Sequence, residues 1–434
     1  MAGAQGPPPK PNLLFILTDD QRTDTMSVMP ATRAAFDVTF KNFVVTSPNC
    51  CPSRSSFLTG RYVHNTGVNG TSRRFWLKFR RLEPDSLGPW LQSEGYYTGL
   101  IGKYFNYVRR DDAVAPGWDE FFVRLWGDST DTGTTGNGTT EFTLRERFGD
   151  RDEVVTYPNP EFPDAYATRV FGTKAQQFLE RVPDDKPFAL FVWTIAPNTR
   201  GPEAVYADAP VPTWNKPPSF MERNMSDKPS EIRNSPQIVR DPEFHRSLRS
   251  DQLRQLMTVD DMVETILSDL DSRGLRDDTW GVFTSDNGRF WGEHRLKGKV
   301  YAYDESAEVP FRMMIPDYPA RSFGNLAANI DVAPTLVRLA GDDSRHDFNG
   351  RSLLPLIRGT SRSWRTDMLI EHRRRTRRYN ALRNRRWLYI HWPLTGHTEL
   401  YDRRRDPYQM RNVARRNPGV VRRLHGRLRQ LKVR

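Results

Sequence analysis

Only two cysteines occur in the 434-residue chain, and they are adjacent: Cys50-Cys51, followed by Pro52-Ser53-Arg54. Consecutive Cα atoms sit ~3.8 Å apart across a trans peptide, short of the ~4.4–6.8 Å that a relaxed disulfide spans. A thiolate zinc site would need more ligands at other spacings. The pair therefore reads as one reactive cysteine or two inert ones. Pro52 fixes the local backbone, Arg54 supplies a permanent positive charge, and Ser55 onward reads as the start of a helix.

Two further clusters offer hard oxygen ligands. Asp19-Asp20 follow the short apolar run 12–17, and Asp286-Asn287 follow the run 280–284. Both runs have the composition of fully buried strands, which places the carboxylates at strand C-terminal edges, where open α/β sheets gather their ligand sites. Two such edges can converge on one cation. Carboxylate and amide oxygens, with no thiolate or imidazole among them, favour Ca²⁺ or Mg²⁺. Asp-Asn-Gly alone is first of all a turn.

Further buried strands are expected at 188–194 and 311–315, with helices at 165–181 and 247–273, where apolar residues recur at three- and four-residue spacing. Strands alternating with helices argue for an α/β sandwich. Residues 127–140 read as an exposed loop or hairpin, and the proline-rich 207–242 as a long surface excursion. After about residue 355 the chain changes character, and short alternating runs such as 387–392 suggest a small antiparallel sheet. We expect a large unit, 1–360, and a small basic subdomain, 361–434.

Hydrophobic residues make up 37% of the chain, with 11 Trp and 24 Phe, enough for a real core. No apolar run approaches the ~18–20 residues of a membrane span. The first ten residues lack the apolar region of a secretory signal, so the chain as given reads as cytoplasmic. The net charge of +12 is uneven. Residues 361–434 carry 22 Lys and Arg against 5 Asp and Glu, a local +17, which leaves −5 for the rest. This asymmetry suits a polyanion partner or a solvated basic face. Without zinc-finger or RNA-binding signatures, nucleic acid is a weak alternative.

Residues 50–61, Cys-Cys-Pro-Ser-Arg-Ser-Ser-Phe-Leu-Thr-Gly-Arg, match every specified position of Cys-x-Pro-Ser-Arg-x-x-x-Leu-Thr-Gly-Arg. This resembles the signature of the type I sulfatases, formylglycine-dependent members of the alkaline phosphatase-like superfamily. Asn329-Ile330-Asp331, Asn349-Gly350 and Glu399-Leu400-Tyr401-Asp402 resemble its later landmarks. The implied fold is α/β: a three-layer sandwich around a mostly parallel sheet, with a small C-terminal α+β subdomain carrying an antiparallel sheet.

The resemblance also implies roles. A maturation enzyme would oxidise Cys50 to formylglycine, whose hydrated aldehyde is the nucleophile. Asp19, Asp20, Asp286, Asn287 and residue 50 would hold Ca²⁺, with Mg²⁺ as the alternative. Arg54 would steady the nucleophile and metal shell. Lys103, in Gly102-Lys103, matches one family lysine. Lys299 matches another better than Lys297, through its spacing to Tyr303-Asp304-Glu305. His294 and Lys299 are candidates to protonate the leaving oxygen, and His64 can line the mouth of the site or be structural.

Two positions depart from the common pattern. Asn198 stands where members generally place a histidine after Ala-Pro, and asparagine is no general acid at neutral pH. Asn106 stands where many carry a second histidine. Asn106 and the double cysteine are similar to the N-acetylglucosamine-6-sulfatase and heparan endosulfatase branch. The implied substrate is a sulfated small molecule or polysaccharide, and the family is often exported. Competing expectations are a formylglycine phosphodiesterase or phosphonate monoesterase, and a catalytically impaired protein that binds sulfated polymers.

Overall fold

The computed structural model describes residues 10–126, 140–198, 201–374 and 377–433. The loop expected at 127–140 lies, up to residue 139, outside the described residues.

Ten strands form the central sheet: β1 (Asn12–Thr18), β2 (Val38–Val44), β3 (Tyr97–Gly102), β4 (Glu120–Arg124), β5 (Phe142–Phe148), β6 (Arg151–Tyr157), β7 (Phe188–Trp193), β8 (Thr279–Ser285), β9 (Phe311–Met314) and β10 (Arg321–Ala328). Their order is β10-β2-β9-β8-β1-β7-β3-β4-β5-β6. The central strands β8, β1, β7, β3 and β4 run parallel. Strand β9 is antiparallel to both its neighbours, and the hairpin β5–β6 closes one edge.

Strand β1 is buried along its whole length because both faces of the sheet are covered. Leu13, Phe15 and Leu17 enter one core, with Phe57 and Leu58 of helix α1 (Cys50–Thr59). Leu14 and Ile16 point to the opposite core, with apolar residues of α2 (Ala167–Arg181) and α3 (Pro242–Ser272). This period-two division makes the middle layer of a three-layer sandwich. The start of α3 is set five residues before the expected 247: Pro242 occupies its first position, and Asp241 caps it by accepting from the Glu243 N–H at 2.9 Å.

A second, four-stranded antiparallel sheet runs through Asp367–His372, Tyr379–Asn384, Trp387–His391 and Thr398–Asp402 in that order. Buried polar groups fasten it to the loop after β8. Arg383 pairs with Asp304 at 3.1 Å and Glu308 at 2.6 Å, Arg403 pairs with Asp304 at 3.0 Å, and Glu399 accepts from Tyr303 Oη at 2.6 Å. Among the described residues, no helix is long and apolar enough to cross a membrane.

Candidate active site

Strands β1 and β8 are parallel neighbours with Thr18 opposite Ser285, so Asp19-Asp20 and Asp286-Asn287 leave the sheet side by side. The Asp286 N–H donates to Thr18 O and the Asp19 N–H to Ala196 O, both at 3.0 Å. Asp20 takes a left-handed φ of 68°, and its N–H lies 3.3 Å from Asp286 Oδ1.

Cys50 opens α1, all ten residues of which are buried. Two of the late landmarks clamp this helix. Asn329 Nδ2 donates to Ser53 Oγ at 3.1 Å, and the N–H groups of Asn349 and Gly350 donate to Gly60 O at 3.0 and 3.1 Å. Lys103 follows β3 directly, and its N–H donates to Trp193 O at 2.8 Å. The preceding Gly102 has φ +101°, and a Cβ there would lie 2.1 Å from that same oxygen. This gives the Gly-Lys pair a steric reason.

These elements deliver one buried charge network. Arg54 Nε donates to Asp286 Oδ2 at 2.8 Å and its Nη2 to Asp19 Oδ2 at 3.1 Å, while Nη1 reaches Lys103 O. Lys103 Nζ pairs with Asp19. Lys299 Nζ lies 2.8 Å from Cys50 Sγ, pairs with Asp20, and stands 3.5 Å from Asp19 Oδ1. Cys50 Sγ is 3.7 Å from Asp19 Oδ1.

Burial alone would raise the Asp19 carboxyl, but Lys103, Lys299 and Arg54 outweigh it and hold the group well below the usual carboxylate range. Asp286 is pushed up to about 6 by burial and by Asp19 beside it. Burial, then Asp19, push the Cys50 thiol up to about 11, and burial with Cys50 lifts Cys51 to about 12. In this charge environment Cys50 stays a neutral thiol at physiological pH, which is a poor nucleophile.

The donor set suits a hard cation. Asp19, Asp20 and Cys50 offer ligand atoms within 4.8 Å of one another. Asn287 Nδ2 donates to Asp20 Oδ1 and to Gly288 O, which leaves Asn287 Oδ1 buried without a hydrogen-bond partner among the described residues. An orphaned buried amide oxygen costs ~1–3 kcal/mol, and a cation among these oxygens relieves that cost. Apart from residue 50 every donor is an oxygen, as Ca²⁺ or Mg²⁺ requires.

The other residues expected at the site divide. Asn106 packs against the second cysteine: its Oδ1 accepts from Cys51 Sγ at 3.2 Å. Asn198 joins the network through Arg289, whose Nη1 lies 3.0 Å from Asn198 Oδ1 and 2.7 Å from Asp20 Oδ2. His294 is fully buried, with Nδ1 2.6 Å from Glu222 Oε2 and its ring against Tyr303, and its Nε2 has no hydrogen-bond partner among the described residues. His64 is held 2.7 Å from Glu371 of the second sheet and stacks on Tyr62. Lys297 is exposed, its Nζ 5.6 Å from the centre of the Phe244 ring. Sequence reasoning missed Arg289. Its one signal was lying two residues after Asn287.

The Sulfatase family profile matches residues 11–342, and the profile for the C-terminal part of N-sulphoglucosamine sulphohydrolase matches 292–434. A Sulf-1 extracellular sulfatase homolog of Caenorhabditis elegans is 30% identical over 398 residues, 83% of this chain and 52% of the relative. The chain thus spans about half the length of that protein. Human N-acetylglucosamine-6-sulfatase is 30% identical over 84% of this chain and 67% of its own length. A structure solved with its substrate D-glucosamine-2-N,6-O-disulfate superposes with a TM-score of 0.77 at 21% identity, covering 98% of both chains. A phosphonate monoester hydrolase of Agrobacterium radiobacter superposes at 0.73 and 20% identity, over 98% of this chain and 96% of that one. With the Sulfatase profile running from the first strand of the sheet past the last, the chain belongs to the sulfatase family.

Proposed function

We propose that this protein hydrolyses sulfate esters of a carbohydrate, with a formylglycine made from Cys50 as the nucleophile. The observation that carries this reading is the net of Lys299, Asp19 and Asp20 around Cys50 in a chain of this family. A separate maturation enzyme would oxidise the thiol, and Sγ marks where an oxygen of the hydrated aldehyde would stand. A divalent cation, Ca²⁺ first and Mg²⁺ second, would be held by Asp19, Asp20, Asp286, Asn287 and residue 50, where it supplies positive charge toward a sulfate oxygen and the hydrate.

The chain's own residues take the remaining roles. Lys299, as an ammonium 2.8 Å from the position of the attacking oxygen, neutralises the charge that gathers there. Arg54 and Lys103 keep Asp19 ionised and oriented, and add fixed positive charge where the transferring SO₃ unit grows more negative. Lys299 and His294, through the Nε2 that lacks a partner among the described residues, are the candidates to protonate the leaving oxygen. Asn106, Asn198 and His64 would line the substrate's approach. Residues 1–360 form the catalytic unit in this reading, and 361–434 a basic subdomain braced against it.

Relatives named for N-acetylglucosamine-6-sulfatase activity, and the neighbour solved with a disulfated glucosamine, support a sulfated amino sugar as substrate. Relatives named as extracellular sulfatases support export. The test is to produce the chain with a maturation enzyme, locate the aldehyde by peptide mass spectrometry, and compare a 6-sulfated amino sugar, an aryl sulfate and an aryl phosphodiester. We expect the aldehyde at residue 50, sulfate ester turnover, and none in Cys50→Ala. Preference for the diester supports the phosphodiesterase reading instead. No turnover despite verified formylglycine supports a binding protein.

A further inference from the structure

Arg289 bridges Asp20, which the sulfatase reading places on the cation, and Asn198, which it places at the substrate. Its Nη1 lies 2.7 Å from Asp20 Oδ2, 3.0 Å from Asn198 Oδ1 and 3.1 Å from the Asn198 carbonyl oxygen. A guanidinium has donors and no acceptor, so the carboxamide end that faces it is the oxygen. The Nδ2 group of Asn198 is then directed away from Arg289. Asp20 is buried and anchors the guanidinium, and a charge-assisted contact of this length resists rotation of either partner. The amide therefore has one orientation, set before substrate arrives.

We infer that Arg289 is a positioning residue: it locks Asn198 so that the amide NH₂ is offered to an oxygen of the bound sulfate group. Asn198 then acts as a fixed hydrogen-bond donor, where a histidine could have served as both donor and acid. This rests on the sulfatase reading for the identity of the anion, and on the Arg289 contacts for the orientation.

Asn198→Asp and Asn198→Ala separate this role from a structural one. Aspartate has the same shape and strengthens the contact with Arg289, but it turns an O⁻ toward an anion. The measurement is calorimetric binding of inorganic sulfate to the Cys50→Ala protein, which needs neither formylglycine nor turnover. We expect Asn198→Ala to weaken binding and Asn198→Asp to weaken it about tenfold more, in the manner of a like-charge contact. Arg289→Gln should weaken binding in the Asn198 protein but add little in the Asn198→Ala protein, because residues acting as a unit are not additive.

Aspartate binding sulfate as well as asparagine would overturn the proposal, since Asn198 would then be only a brace for Arg289. Losses that multiply in the double variant would show Arg289 acting without Asn198. Failure of the parent Cys50→Ala protein to bind sulfate would overturn it too. Absence of turnover in formylglycine-bearing wild type would instead remove the sulfatase reading, with the order of sulfate affinities still measurable.

Discussion

Lys299 Nζ stands 2.8 Å from Cys50 Sγ while also pairing with Asp20, so one ammonium spans the thiol and a neighbouring carboxylate. The backbone explains why this lysine arrives and its neighbour does not. Gly298 and Val300, on either side, have left-handed φ of 76° and 87°, and this kink turns the chain out of the short ribbon in which Lys297 pairs with Trp291.

The pair gives a sharp contrast. Lys299→Ala removes a partly buried charge beside Cys50, the group proposed to react, and such losses typically cost ~10²–10³-fold in kcat. Lys297→Ala removes an exposed side chain and should leave kcat within about twofold. Steady-state kinetics on one sulfate ester decides it. Similar losses in both would mean that the ribbon itself had been disturbed.

Asp286 tests the cation. Asp286→Ala takes one carboxylate from the donor set and leaves Arg54 Nε without its acceptor. Bound metal, measured by elemental analysis, should fall together with activity. Chelator treatment of the wild type should do the same, reversed by Ca²⁺. Stoichiometric zinc, or two metals per chain, would contradict an all-oxygen site for one hard cation.

Parts of this arrangement are legible in the sequence because they obey local rules. Strands β1 and β8 are continuous apolar runs that end in acid, and their C-terminal edges can be placed as a site. Strand β10 is not legible: Arg321-Ser322 and Asn325 interrupt its apolar pattern at a partly exposed edge of the sheet. Helix α1 is buried on every side, so it lacks an amphipathic stripe, and only the motif around Cys50 marks it. Contacts such as Arg289–Asp20 and Arg22–Glu293 join residues 269 and 271 positions apart, beyond any spacing rule. The landmark residues are visible as a pattern, but their work as clamps on α1 depends on the fold.

Arg383 should be a stability determinant rather than a substrate ligand. It is fully buried and pairs with Asp304 and Glu308, just downstream of Lys299. Arg383→Ala leaves those carboxylates with Arg403 as the remaining ionic partner among the described residues. Breaking one side of a buried pair typically costs ~3–5 kcal/mol. Urea unfolding should show a loss of that order. A change below about 1 kcal/mol would mean that Arg403 compensates for both contacts.

The positive surplus of residues 361–434 is smaller at the surface than composition implies. Arg365, Arg383, Arg403 and Arg427 are held in ion pairs with Asp331, Asp304, Glu308 and Asp367. Arg373 is also tethered, 3.4 Å from the Glu371 that holds His64, so its substitution can disturb that pair. Arg374 is exposed, and Arg375 lies outside the described residues. Neutralising Arg374 therefore probes long-range attraction most cleanly. Such attraction acts over a Debye length of ~8 Å at physiological salt and is screened above it. Affinity for a sulfated polysaccharide should fall and its salt dependence flatten, while kcat/KM for a small aryl sulfate stays unchanged. An equal loss on the small substrate would place the defect in folding. No change on the polymer would make this segment a solvated face with no part in substrate capture.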